Sequence, residues 1–424
     1  MAGNYWVISQ FFAEESGTGF SVTRLAEGLA SHVPVSVICG MPNYVDPNKT
    51  APMKETRNGV RILRCKASIL NNNLLFKFLN MVTISFNMFL KVLFHVKPND
   101  NVIIVNLPPL PPFLVSLACR IKGARRYLLV HDVYPQVLVT AGLIAPDSFL
   151  VSPLEKAFRK LYRSVDEIIV LGRDMKDLIA GKLGEVDCPI RVIPNSADLE
   201  NLYPKPISEN SLLKRLGIED AFVITYSGHM GRTHGLEVLF EAAMKLRDRR
   251  DIHFLMIGKG PKKQWLEQRV AEERLENMTV LDFRPRGELL DSMNACHAGI
   301  ISFLPKMSGV SVPGRMYDLM AVGKPIVAVV DSDSELARVI REESIGWVVP
   351  PGDPDKLVET LLKARQSPGV IEQMGLRSRE TAERKYSLNA KINGYLEMLP
   401  ASANPVAPAR ASGTNNLAWR RDLL

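Results

Sequence analysis

The feature that most restricts the fold is a rhythm. Short apolar runs without polar alternation recur between helical stretches: YWVISQFF (5–12), VPVSVICG (33–40), NVIIVNL (101–107), RYLLVHDV (126–133), VDEIIVLG (165–172) and IRVIPNS (190–196). A strand that is apolar on both faces must be covered on both, which is the condition of a parallel sheet between helix layers. The rhythm restarts after LENLYPKPISEN with AFVITYSG (221–228), DIHFLMIGKG (251–260), MTVLDF (278–283), AGIISFLP (298–305), PIVAVV (325–330) and GWVVPP (346–351). The Pro-containing stretch from Leu202 to Asn210 is the natural linker. The fold class predicted is therefore α/β, with two doubly wound, Rossmann-like parallel-sheet domains facing a cleft. Ligands bind such sheets beyond the carboxyl ends of the strands.

Composition narrows the partners. A net charge of +8 suits sugar-nucleotide phosphates or an anionic membrane surface, and equally a merely basic protein. No aromatic-and-basic interleaving of the kind that reads nucleic acid is present, so nucleic acid is not an expected partner. The five cysteines are scattered, odd in number and without C-x-x-C, which argues for a reducing compartment and against a disulfide framework or a zinc site. MAGNYWVISQFF enters a strand with no basic leader ahead of it, so a cytoplasmic location is expected. The Ala/Pro/Ser/Asn-rich stretch from 401 to 424 reads as a disordered tail.

NNNLLFKFLNMVTISFNMFLKVLFHVKP (71–98) is dense in phenylalanine. Lys77 and Lys91 bracket too few residues for a spanning helix, which needs about 20. A core helix and an interfacial helix with snorkelling lysines both fit. The basic stretch LEKAFRKLYRS (154–164) favours peripheral contact with the inner face of a membrane.

Candidate chemistry gathers at strand ends. Gly17 and Gly19 precede a helix whose N-terminus could receive an anion or a sugar, although such a turn needs glycine anyway. His131 and Asp132 close a strand as a base and its orienter, or as a cap for the next segment. YSGHMGRTHG (226–235) packs Gly228 beside His229, Arg232 and His234. GKGPKK (258–263) adds Lys259, and two loops of glycine and cation at consecutive strands suggest a diphosphate. DSDSE (331–335) contains a D-x-D but reads as a helix N-cap at Asp333 or Ser334, so no metal site is expected. Asp318 sits in apolar company, in what reads as the last turns of a helix from Met316 to Met320, where a carboxylate opposes the dipole.

RVIPNSADLENLYP, YSGHMGRTHGLEVLFEAA, IGKGPKK and DLMAVGKPIVAVVDSDSELARVI followed by IGWVVPPGDPDKL resemble, in order and spacing, the signature segments of family 4 retaining glycosyltransferases of the GT-B fold. The resemblance runs from residue 5 to about residue 398. VHDVYP together with PGRMYD most resembles the bacterial polysaccharide branch that includes fucosamine transferases. It implies an acceptor-binding domain over 1–202, a nucleotide-sugar-binding domain over 203–385, and a return of 386–400 to the first domain. It also implies transfer of a sugar, such as an N-acetylated amino or deoxyamino sugar, from a UDP-sugar to a glycan or polyprenyl-diphosphate-linked acceptor. No cofactor and no metal would be required, and cell-surface polysaccharide or lipopolysaccharide synthesis would be the setting.

In such enzymes an acid placed like Asp318 receives the ribose hydroxyls, Phe283 and Arg284 lie near the base, and the backbone from Gly309 through Ser311 to Val312 cradles phosphate or sugar. The family's first acid would fall at Val310 and is absent. Its usual phosphate-loop cations fall on His229 and His234, which leaves Arg232, Lys259 and Arg315 as the replacement charges. Should the histidines do that work, donor binding would weaken above their pKa. His131 would orient the sugar or acceptor. A GT-B-fold sugar-nucleotide epimerase and a catalytically silent partner subunit are the alternatives.

Overall fold

The computed structural model describes residues 4–12, 17–42, 50–66, 74–184 and 188–398. The expected tail from 401 lies outside these residues. The first sheet is built from β1 (Tyr5–Ser9), β2 (Val35–Cys39), β3 (Lys54–Arg57), β4 (Val60–Arg64), β5 (Asn101–Val105), β6 (Arg125–Val130), β7 (Glu167–Val170) and β8 (Ile190–Val192). Its order is β3-β4-β2-β1-β5-β6-β7-β8, parallel except for the β3–β4 pair. That hairpin was not foreseen from the apolar runs. Its signal is Asn58-Gly59, both at positive φ, as a two-residue turn between twisted strands requires.

The helices of this half are α1 (Gly17–Ala30), α2 (Leu74–His95), α3 (Pro111–Lys122), α4 (Gln136–Thr140), α5 (Val151–Tyr162) and α6 (Arg173–Leu183). The chain leaves β1 for β2 on one side and later returns to β5 on the other. Right-handed crossovers then put α1 on one face and α2, α3, α5 and α6 on the opposite face.

The second half contains α7 (Ser211–Leu216), β9 (Phe222–His229), α8 (Leu236–Lys245), β10 (Ile252–Lys259), α9 (Lys263–Glu272), β11 (Met278–Asp282), α10 (Leu289–Asn294) and β12 (Ala298–Ser302). It continues through α11 (Arg315–Ala321), β13 (Ile326–Val329), α12 (Glu335–Glu343), β14 (Gly346–Val349), α13 (Pro354–Arg365) and α14 (Pro368–Lys385). Its sheet is wholly parallel, in the order β11-β10-β9-β12-β13-β14. A last helix, α15 (Leu388–Met398), packs on α1, where Ile392 fills the space that a side chain on Gly28 would need.

Each sheet therefore has one switch point, between β1 and β5 in the first and between β9 and β12 in the second. Both open toward the same cleft. One apolar core cluster contains residues of both halves, and within it the rings of Tyr317 and Tyr386 meet edge to face at 5.2 Å. Arg379 secures the linker there, donating from Nη1 to the carbonyls of Leu202 (2.9 Å) and Ala321 (2.5 Å).

Candidate active site between the two sheets

The second-domain wall is assembled at the carboxyl ends of β9 and β10. These strands run so close that a Cβ on Gly258 would lie 2.0 Å from the Gly228 carbonyl oxygen, and one on Gly260 2.5 Å from that of Met230. Only glycine lets the two loops lie side by side. Arg315, the first residue of α11, reaches into this gap. Its guanidinium lies 4.2 Å over the Tyr226 ring, and Nη2 donates to the His229 carbonyl at 3.2 Å and faces His234 Nε2 at 3.3 Å. Its Nη1 is buried with no hydrogen-bond partner, and no carboxylate pairs with Arg315 among the described residues. Lys259 Nζ stands 4.8 Å over the Phe283 ring. Arg284 is paired with Glu288 at 3.2 Å, and Arg232 is exposed on the same loop as the histidines.

Desolvation first, then the neighbouring Arg315, hold His229 and His234 below the usual histidine range. Around neutral pH both imidazoles are uncharged. The positive charge on this wall belongs to Arg315 and Lys259, with Arg232 at the rim.

The first-domain wall is the end of β6. Asn106, fully buried after β5, accepts from the His131 N–H at 2.8 Å and donates to the Asp132 carbonyl at 2.7 Å, so one amide fixes the pair's backbone. Burial, assisted by Lys391, pushes the His131 imidazole down to about 3, so it is neutral, and its Nε2 has no partner. Burial raises Asp132, opposed by a hydrogen bond from the Ser311 side chain. Asp132 and Ser311 also form an antiparallel bridge, with the Val133 N–H donating to the Val310 carbonyl at 2.9 Å. The structure thus brings His131 and Asp132 against the 309–312 loop.

Behind them Lys391 of α15 donates to Ser21 Oγ at 2.9 Å and Asn195 Oδ1 at 3.1 Å. Burial pulls this lysine down to about 7. Gly17, at φ +62°, and Gly19 open α1 over the same floor.

Two expectations are corrected and a third gains a second role. Asp318 falls in the first turn of α11, because the helix starts only at Arg315 and ends at Ala321; in a first turn the dipole favours an acid. It sits one turn beyond Arg315, half-buried, on the same side of the helix. The Gly309 and Val310 N–H groups are not open to a ligand, since they donate to Asp174 Oδ2 (2.9 Å) and the Met307 carbonyl (3.0 Å). Within DSDSE, Ser334 caps α12 as read, but Asp331 accepts from the backbone N–H groups of Lys306, Met307 and Ser308 at 3.2, 2.8 and 3.0 Å. Asn106 and Asp174 are not singled out along the chain, and Asp331 only as part of the D-x-D. The signal was a polar residue at the boundary between an apolar strand and the next turn.

Comparison with known proteins accords with this geometry. Residues 16–201 match the profile described as Glycosyltransferase Family 4, and residues 221–367 match that described as Glycosyl transferases group 1. A probable glycosyltransferase of Pseudomonas aeruginosa, WbjE, is 28% identical over 290 residues, 68% of this chain and 72% of that protein. The putative colanic acid biosynthesis glycosyl transferase WcaI of Escherichia coli is 25% identical over 276 residues, 64% of this chain and 66% of that protein. Among solved structures, a sucrose-phosphate synthase of Thermosynechococcus elongatus superposes with a TM-score of 0.74 at 17% identity, covering 93% of this chain and 98% of that one. HepE of Anabaena, crystallised in complex with UDP, gives 0.71 at 13% identity, covering 93% and 99%.

Proposed function

The chain belongs to the glycosyltransferases, with a family 4 domain followed by a group 1 domain on a GT-B fold, and from that premise we propose that it transfers a sugar from a UDP-sugar to a glycan acceptor with retention at the anomeric carbon. The observation that carries this reading is Arg315. A buried guanidinium N–H without a partner, at the switch point of a parallel sheet and between two glycine-built loops, is costly unless an anion completes it. A donor diphosphate supplies that anion, with Lys259 on its other side and Arg232 at the rim. Asp318 accepts from the ribose hydroxyls, Phe283 and Arg284 border the base, and Ser311 and Val312 approach the sugar. UDP as the nucleotide is supported by the UDP complex of a similarly folded protein.

In this account the bond between the anomeric carbon and the donor phosphate oxygen breaks, and Arg315 and Lys259 stabilise the charge left on the diphosphate. The acceptor oxygen bonds to the same face, and its proton passes to the departing phosphate. These cations do the electrostatic work without a metal. Neutral His131 offers its unpartnered Nε2 to the sugar or the acceptor. The relatives' names, colanic acid biosynthesis among them, support a bacterial cell-surface polysaccharide as the setting.

A lipid-linked acceptor at the inner membrane surface is supported by one face of the first domain. α2 is long and apolar enough to cross a membrane by length and composition, yet Ile84, Met88 and Val92 are buried in the domain core while Phe78, Phe86 and Phe94 are exposed. Leu117 and Ile121 of α3 and Phe149 before α5 are exposed too, and α5 contributes exposed Lys156, Arg159 and Lys160.

The test is incubation with UDP-sugars, with chelator, in the presence and absence of membrane extract. Acceptor-dependent release of UDP, with a product retaining the donor's anomeric configuration by NMR, is expected. Conversion of donor alone would instead identify an epimerase. Folded protein that binds donor without turnover would identify a silent subunit.

A further inference from the structure

The 306–312 loop is suspended between two carboxylates, one from each domain. Asp331, in its own domain, takes the backbone N–H groups of 306, 307 and 308. The next N–H, that of Gly309, goes to Asp174 in α6 of the first domain at 2.9 Å. Asp174 is 5% exposed, and the same oxygen also accepts the Glu335 N–H at 2.8 Å, which opens α12. Its other oxygen takes the N–H of Met175 at 2.7 Å. One buried carboxylate therefore holds its own helix, the loop and a second-domain helix together.

The loop is shaped for this contact. Gly309 has φ +71°, and a Cβ there would meet the Asp174 carbonyl at 2.7 Å and Leu178 Cβ at 3.0 Å. The glycine is demanded by the approach of the other domain, not by the loop alone. Around it, Arg173 spans Glu335 (3.0 Å) and Glu342 (2.6 Å), and Arg338 pairs with Asp177 at 3.1 Å, all across the same boundary. Parting the domains would leave the Asp174 carboxylate and the Gly309 and Glu335 N–H groups without these partners at once.

We propose that Asp174 is a positioning residue for the donor-side loop: its carboxylate completes the loop only when the domains are closed, so that closure and the shape of the sugar-binding loop are one event. The loop's contact with donor rests on the function proposed above. A staple between domains would alter stability alone. A coupling residue alters donor kinetics selectively.

The experiment compares wild type, Asp174→Ala and Asp174→Asn, with Asp177→Ala as a control that breaks a cross-domain ion pair without touching the loop. Donor KM, acceptor KM, kcat and melting temperature are measured, together with X-ray scattering with and without UDP. In Asp174→Ala the donor KM is expected to rise tenfold or more while the acceptor KM stays within twofold, and the radius of gyration to increase. Asp174→Asn, which keeps one carbonyl acceptor, should fall between, and serves in place of alanine if that variant does not fold. Asp177→Ala should leave the donor KM within twofold. Equal shifts in donor and acceptor KM, or none in a folded variant, overturn the coupling. A wild type without turnover overturns the proposed function instead, and an unchanged radius of gyration in Asp174→Ala then overturns the coupling on its own.

Discussion

A histidine held neutral by partial burial is a liability at low pH, and half-buried His297 shows the mechanism at one atom. Its Nδ1 accepts the Val223 N–H at 3.1 Å at the start of the central strand β9, so a proton placed there breaks a cross-segment bond. Burial, then Lys324, lowers it to about 4; burial lowers His253 to about 4 and His131 to about 3. The folded pKa lies below the unfolded value, so between about 6.5 and about 4 the unfolded chain binds more protons. The stabilisation is complete above that window and is lost as pH falls through it, by about 2 kcal/mol at pH 5 for this one site. His297→Asn keeps an acceptor for Val223 and removes the titration. Its unfolding free energy in urea should therefore fall by about 2 kcal/mol less than wild type between pH 7 and pH 5. An unchanged difference would show that the imidazole does not titrate with unfolding. At this scale the chain was legible where a residue's role follows from its neighbours along it, as with the cap at Ser334. It was not where a partner lies far away. Asp174 and Gly309 are 135 positions apart, and neither their spacing nor their types announces the bond.

Among the elements, the apolar runs located the parallel strands because those strands are buried on both faces. The β3–β4 hairpin, with exposed Lys54, Thr56 and Arg57, lacked that signature and was betrayed only by its turn. Helix α11 went astray for a different reason. In a helix of seven residues Asp318, three from either end, lies within a turn of both, and Gly323 marks the stop better than anything marks the start. The face formed by α2, α3 and α5 was legible in composition, since phenylalanine density and the basic run both stand in the chain. Which side of α2 faces outward required the fold. That face predicts binding to anionic vesicles, with each cation near the surface contributing roughly 1 kcal/mol. Sedimentation with phosphatidylglycerol-containing vesicles should be strong for wild type. It should be reduced at least tenfold by Arg159→Glu with Lys160→Glu, reduced by Phe86→Ser, and absent with neutral vesicles. Equal sedimentation of the charge-reversed protein would remove the membrane from the account.

At the scale of the whole molecule, two sheets set their switch points across one cleft, and each contributes what the other lacks. The second domain brings cations, Arg315 foremost. The first brings neutral polar groups on a buried floor, His131 above all, and Asp174 to shape the opposing loop. The two-sheet plan and the cleft were readable because the strand rhythm repeats. The histidines' lack of charge was not, because it depends on burial and on Arg315 folding back between them. The central claim is that this cleft binds a nucleoside diphosphate through Arg315 and Asp318. It is tested most directly by calorimetric titration of UDP, GDP, ADP and TDP, without metal, into wild type, Arg315→Ala and Asp318→Ala. A charge-assisted hydrogen bond contributes about 1.5–3 kcal/mol, so each substitution should weaken binding roughly ten- to a hundredfold. The account predicts preference for UDP in wild type and that weakening in both variants, with melting temperatures near wild type. Folded wild type that binds none of the four, or variants that bind as tightly as wild type, would contradict it.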